Sequence, residues 1–379
     1  MAEHGAAEHG RTDGPTVAVI GGGYGGVSVA KALDPTADVV LVEPREAFLH
    51  NVAALRALVD PSWLDRVFMP YGNLLSRGRV VQDRAVRVDP GRVLTASGEQ
   101  IDADYVVLAS GSSYPFPAKT DLVDTDAAHR QFRAVNQALA DADRVLLVGA
   151  GPVGVELAGE IRAVWPDKAI TLLDTAGRVL EGPFRDDLKA ELHRQLVDLD
   201  VRLVLGSPLR ALPPTQPGEP GTFTVTTDDG VDVTADLWFR CFGVVPNGDY
   251  LGDDLAGARR PDGFVEVGPT LQVVGHPNVF ALGDLSTADA KMAGFARRQA
   301  DVVAANITAL AAGGTDLTEY QAIGAAGIVI PIGPEGGSGQ FPGQDHLVPA
   351  ETVAHMKGRD MMVGPFAELF GLAAVAEAD

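Results

Sequence analysis

Residues 145–160 read VLLVGAGPVGVELAGE, and residues 17–31 read VAVIGGGYGGVSVAK. Both stretches run from a β-branched apolar strand into a glycine-rich turn and then a helix. Residues 145–160 predict Gly149, Gly151 and Gly154 in a GxGxxG turn, and residues 17–31 predict Gly21, Gly23 and Gly26 in another. The spacing has a physical logic. The first glycine permits the tight turn, the second lets the backbone approach a pyrophosphate, and the third lets helix pack closely on strand. The free N–H groups at the helix start then face the phosphates. In each unit the next strand ends in an acid able to bond a ribose hydroxyl. Glu43 lies 22 residues after Gly21, and Asp174 lies 25 after Gly149.

The repeat extends further. DADYVVLASG (102–111) answers TADLWFRCFG (234–243), and each closes its unit with a buried strand ending in glycine. Between fingerprint and closing strand each unit carries a β-rich patch with turn signals, VDPGRV in the first and PPTQPGEPG with TDDGVD in the second. One GxGxxG is a weak signal. Two, each framed by strand, helix and terminal acid, make a strong one. The expected arrangement is one resident and one transient dinucleotide.

Composition narrows the field. A chain of 379 residues has room for two or three cores, and a net charge of −21 repels nucleic acid and anionic lipid surfaces. There is one cysteine, Cys241, which excludes an intramolecular disulfide, a CxxC redox pair and a cysteine zinc or iron–sulfur site, and reads as a buried small hydrophobe in mid-strand. Redox chemistry must come from a bound cofactor. No metal site is expected. His4 and His9, in AEHGAAEHG, fall in a Gly/Ala-rich stretch read as a disordered tail, neither a secretory leader nor a myristoylation signal. No run of 18 apolar residues exists, so no transmembrane segment is expected and a cytoplasmic location is. A homodimer stays open.

VAVIGGGYGG, YVVLASGSSYPFP, GAGPVGVELAGE and NVFALGDLS, in this order, resemble the landmarks of the two-dinucleotide-binding-domain flavoproteins. FLHNVAALRALVD (48–60), SSYPFP and IGPEGGSGQFPG (332–343) are similar to the ferroptosis suppressor protein group of apoptosis-inducing-factor-like NAD(P)H:quinone oxidoreductases. That resemblance covers about residues 15–365. It implies an α/β fold of two Rossmann-like domains, glutathione-reductase-like, plus a small C-terminal α+β region. The FAD-binding domain would take residues 15–115 and 243–315, the NAD(P)H-binding domain 116–242 and the C-terminal domain 316–379, after a tail at 1–14.

The resemblance also implies site residues. FAD would meet Gly21, Gly23, Tyr24, Gly25, Gly26, Glu43, Pro44 and Arg45, the Ala109-Ser110-Gly111 turn, Gly243, and Gly283-Asp284 of the Gly-Asp motif. Lys291, Met292 and Ala293 would face the flavin from a helix N-terminus that Lys291 begins. The nicotinamide dinucleotide would meet Gly149, Gly151, Pro152, Val153, Gly154 and Asp174. Glu156, in the first turn of its helix, Lys291, Lys357, His50 and Asn51 would be catalytic, with Glu156 and Asn51 also touching cofactor. Glu160 lies a turn further off. Asp174 favours NADH over NADPH, although Arg178 could rescue phosphate binding. Disulfide reductases carry CxxxxC where this chain reads FLHNVAALRAL, so thiol relays are excluded.

These readings converge on an FAD enzyme passing hydride from NADH to a quinone-like acceptor. Two alternatives stay open. One is a ferredoxin or rubredoxin reductase, which the charge of −21 fits poorly because such partners are acidic. The other is an NADH-sensing flavoprotein whose role is interaction. The apolar spacing in VGPFAELFGLAAVAEAD (363–379) favours packing on the body or a second subunit over a membrane helix.

Overall fold

The computed structural model describes residues 14–324 and 327–372. The readings of residues 1–13, His4 and His9 included, and of the last seven residues lie outside them. The chain folds as two compact units. The first comprises the described residues of Met1–Pro44 with Gly72–Gly111 and Asn247–Gln321. The second comprises Arg45–Tyr71, Ser112–Pro246 and the described residues of Ala322–Asp379.

The first unit is built on a six-stranded sheet. Its order is Gln272–Val273, His276–Ala281, Tyr105–Leu108, Thr16–Ile20, Asp38–Val42, Arg79–Val81. All neighbours are parallel except the first pair. Parallel strands covered on both faces read as continuous apolar runs, and Val17, Ala18, Val19 and Ile20 are all buried. Helices Tyr24–Leu33 and Ala293–Ala311 pack on one another. The patch around VDPGRV is a three-stranded antiparallel sheet, Ala85–Asp89, Arg92–Thr95 and Gln100–Asp102.

The second unit repeats the plan with a four-stranded parallel sheet, Val201–Leu205, Ala169–Asp174, Arg144–Val148, Leu237–Arg240. The β-rich patch becomes the antiparallel pair Phe223–Thr226 and Asp232–Ala235, packed with Leu146, Val148 and Trp238 in one apolar cluster. Two repeating α/β sheets confirm the expected fold class. Cys241 is not mid-strand. The strand ends at Arg240 and Cys241 follows it, free and buried, its thiol pushed up to about 12 by desolvation.

The C-terminal segment contributes a hairpin, Ile328–Ile332 and Gly336–Gln340, and three short helical turns, Ala350–Val353, Ala354–Gly358 (a π-turn) and Val363–Leu369. The last turn buries Val363, Phe366 and Ala367, and Phe370 follows it into the core. Phe366 and Phe370 stack on Phe48 with ring centroids 5.8 and 5.1 Å away. The apolar face therefore packs on the Arg45–Tyr71 segment of its own unit. Among the described residues no helix is long and apolar enough to cross a membrane.

Candidate functional site

The two glycine loops have the same construction. Gly21 and Gly149 hold φ of +100° and +113°, where any Cβ would also strike backbone atoms 2.7 Å away, at Ala109 and Cys241. A Cβ on Gly26 would collide with the Gly21 carbonyl oxygen, and one on Gly154 with that of Gly149. The middle glycines differ. Gly23 and Gly151 have nothing within 4 Å of the Cβ direction, and each caps its helix with no side-chain hydrogen bond. Helix N-terminal amides behind such a cradle are an anion site. The residues present therefore fit two dinucleotide pyrophosphates.

The terminal acids brace the loops. The N–H of Gly22 donates to Glu43 Oε2 at 2.6 Å, and the N–H of Ala150 donates to Asp174 Oδ2 at 2.5 Å. Each donor follows the first glycine of its loop. Asp174 Oδ1 also takes the Ala176 N–H at 2.9 Å. Arg178, the residue that could favour a 2′-phosphate, is paired with Asp186 at 2.6 Å.

In the first unit Ala109, Ser110 and Gly111 follow the strand Tyr105–Leu108, and the Ser110 hydroxyl lies 2.6 Å from the Asn247 carbonyl and 2.8 Å from the Tyr250 hydroxyl. Gly283 and Asp284 form a 3-10 turn after strand His276–Ala281, and the Gly283 N–H donates to the buried Gln299 side chain at 2.7 Å. Pro44 ends the first segment of this unit and Arg45 opens the second unit. Lys291 does not begin its helix: Ala293 does, with Met292 as cap. The Lys291 ammonium donates to the Ser286 and Asp289 carbonyls and lies 4.5 Å from the centroid of the Phe264 ring. Burial lowers its pKa, and Asp284, Asp289 and Asp262 oppose that.

In the second unit a charged network surrounds helix Pro152–Val164. Glu156 is its fifth residue, past the first turn, so the expected first-turn placement is corrected. Its carboxylate takes a hydrogen bond from Lys357 Nζ at 2.8 Å, and the two side chains are only 11% and 16% exposed. Burial pushes the Glu156 carboxyl up, and the Lys357 ammonium opposes it. Glu160, one turn on and 1% exposed, accepts two bonds from the Arg56 guanidinium. Arg56 Nη2 also donates to the Gly358 carbonyl at 2.8 Å. His50 Nε2 lies 2.7 Å from the Met361 carbonyl oxygen, so Nε2 carries the proton. Asn51 Oδ1, next in the chain, is buried with no hydrogen-bond partner among the described residues.

Three residues had no sequence signal for these roles. Arg56, Gln299 and Tyr250 act across long chain separations, with partners 104, 16 and 140 residues away. Arg240 is a fourth. Its Nε is buried without a hydrogen bond among the described residues, and its guanidinium lies 4.6 Å from the Phe242 ring centroid, before Gly243, which holds φ of +106°.

His50 makes a testable contribution to stability. Burial lowers its pKa from 6.5 to about 4. Between those values the unfolded chain takes up a proton that the folded chain refuses, so stability falls as pH falls. The full effect by pH 4 is about 3 kcal/mol. Urea midpoints of the wild type and His50→Gln between pH 7 and 4.5 should show the smaller acid loss in the variant. Parallel curves would discharge His50 from this role.

The sequence comparisons agree with this geometry. The pyridine nucleotide-disulphide oxidoreductase family matches residues 15–306. The chain belongs to that family. Ferroptosis suppressor protein 1 of Taeniopygia guttata is 31% identical over 362 residues, covering 92% of this chain and 93% of that one. Apoptosis-inducing factor homolog B of Dictyostelium discoideum is 30% identical, covering 86% and 89%. Among solved structures, the sulfide:quinone oxidoreductase of Aquifex aeolicus has a TM-score of 0.71, covering 96% of this chain and 93% of that one, at 17% identity, a likeness of fold alone. Family membership makes the protein an NAD(P)H oxidoreductase, a flavoprotein using FAD and a nicotinamide dinucleotide. The disulphide of the family name has no counterpart in a chain with one buried cysteine.

Proposed function

We propose that this oxidoreductase takes hydride from NADH and delivers electrons to a quinone-like two-electron acceptor with no redox disulfide. The observation that carries the reading is the pair of open glycine cradles in a chain whose single cysteine is buried. FAD supplies the hydride acceptor and the onward electron donor. The resemblance to the ferroptosis suppressor group supports a quinone as the acceptor.

The roles divide by glycine loop. The Gly21–Gly26 loop, Glu43, the Ala109–Gly111 turn and Gly283-Asp284 hold FAD, with residues 15–115 and 243–315 as its domain. Lys291, a cation ahead of a helix N-terminus, favours negative charge on the reduced cofactor. The Gly149–Gly154 loop and Asp174 hold NADH, with residues 116–242 as its domain and 316–379 as a C-terminal domain. Glu156 and Lys357 supply a buried acid and cation to the transfer. Asn51 offers its unpartnered carbonyl oxygen to a cofactor donor, and His50 stands beside it.

NADH is favoured because Asp174 repels a 2′-phosphate and the Arg178 charge is already matched by Asp186. The expected kcat/KM is at least about tenfold higher with NADH than with NADPH. Asp174→Ser should narrow that ratio. Equal values in the wild type would refute the preference.

The deciding experiment is anaerobic NADH oxidation by the flavin-loaded protein, with and without a short-chain quinone. Saturable turnover that needs the quinone is the expected result. Reduction of the flavin without onward transfer would reject the quinone reading.

A further inference from the structure

We propose that Arg56 is a positioning residue that sets where Lys357 stands, by gripping the π-turn that carries it. The inference rests on the reading of Lys357 as part of the reaction machinery, and it adds a residue to which that reading assigns no role.

Lys357 sits in Ala354–Gly358, a π-turn. Such turns are rare and are often found at functional sites; this one is closed by the Arg359 N–H donating to the Ala354 carbonyl at 2.9 Å. The chain beyond is strained: Met361 and Met362 take φ of +51° and +59°, a conformation that non-glycine residues rarely adopt. Among the described residues, three buried grips hold this stretch, beside the exposed Arg359–Glu335 pair. Arg56 donates to the Gly358 carbonyl at 2.8 Å and to the Arg359 carbonyl at 3.5 Å. His50 donates to Met361. Gly358 fits against Pro334 so closely that a Cβ there would meet its carbonyl oxygen at 2.5 Å. Arg56 and Pro334 both act on Gly358, the residue next to Lys357, and of the two Arg56 does so by a hydrogen bond.

Arg56 is itself fixed. Glu160 takes its fork in two bonds, and the Trp63 ring lies 5.1 Å from the guanidinium carbon. It is 7% exposed. Glu160 is four residues from Glu156 on one helix, so one helical turn fixes both ends of the arrangement. Glu156 receives Lys357 directly, and Glu160 receives the arginine that holds the backbone next to Lys357. A guanidinium is suited to this because it donates to a carboxylate and to carbonyls at once in a planar fork. An ammonium lacks that geometry. Displacement of a charged group by about 1 Å can cost up to about 10²-fold in rate.

The test is a double-mutant cycle on the holoenzyme. Arg56→Met with Glu160→Gln removes both charges together and leaves no buried charge unpaired. This pair of substitutions should lower kcat roughly tenfold while flavin content and the Kd for NAD⁺ stay within about twofold. In a Lys357→Met background the same substitutions should change kcat less than about twofold, because their target is gone. Equal losses in both backgrounds would overturn the proposal and leave Arg56 a merely structural residue. Normal turnover in Lys357→Met alone would overturn it at its base, by removing Lys357 from the reaction. If the paired variant does not fold, Arg56→Lys serves instead: it keeps the charge and loses the fork, with the same loss of kcat and the same dependence on Lys357 expected.

Discussion

Gly154→Ala is expected to give a protein that still carries FAD but binds NAD⁺ roughly ten- to hundredfold more weakly, and Gly26→Ala to give one that loses its flavin. The reason is the same in both loops. The added methyl group would fall on the carbonyl oxygen of the first glycine, Gly149 or Gly21, and on Gly154 it would also press on Leu172. A backbone carbonyl cannot swing aside as a side-chain tip can. The helix must move off its strand, and the N-terminal amides that face the phosphates move with it. Overpacking of this kind typically costs about 1–3 kcal/mol. The two variants also test the assignment of cofactors to loops. Flavin absorbance of the purified proteins and NAD⁺ titration calorimetry of the flavin-loaded form are the readouts. Loss of flavin in Gly154→Ala with retention in Gly26→Ala would reverse the assignment.

The glycine loops and their bracing acids were legible in the sequence because their geometry is local. Three glycines at fixed spacing, a strand before and a helix after leave few backbone solutions; Asp174 ends its strand, and Glu43 falls one residue past the end of its own, Asp38–Val42. The second unit's closing strand was legible in the same way, although Cys241 falls just past its end. The charged network was not. Lys357 and Glu156 are 201 residues apart, Arg56 and Glu160 104, and His50 and Met361 311. No periodicity links such pairs, and Glu160 looked remote from the chemistry because its partner comes from another segment. Lys291 shows the limit at an element boundary. The apolar pattern of KMAGFARRQ gives the helix but not its first residue, and the backbone enters the helix two residues later, at Ala293. Family resemblance reached Glu156 and Lys357 where local patterns did not.

Lys357→Met is expected to lower kcat with NADH and quinone by roughly 10²-fold and to move the acid limb of kcat to higher pH. The two effects have separate causes. The rate loss follows from removing a preformed cation in a site with little solvent, where a charge is worth more than in water. The shift of the limb follows from Glu156. Burial already raises its pKa, and Lys357 is the first opposing influence. Without the ammonium, burial and the like charge of Glu160 act on it unopposed, so its carboxyl protonates at a higher pH than in the wild type. The sign is fixed: a limb set by this group can only move up. Lost pairing is not expected to unfold the protein, because Glu156 can take up a proton where a permanent buried anion would be costly. Glu156→Gln supplies the control, since a neutral amide should abolish the limb while leaving flavin content unchanged. Steady-state rates of the three proteins between pH 5 and 9, each with saturating NADH and quinone, make the comparison. A limb that stays in place in Lys357→Met would show that it belongs to another group. A limb that survives in Glu156→Gln would remove the carboxyl from the chemistry and leave the pair a purely structural link between the helix and the C-terminal π-turn.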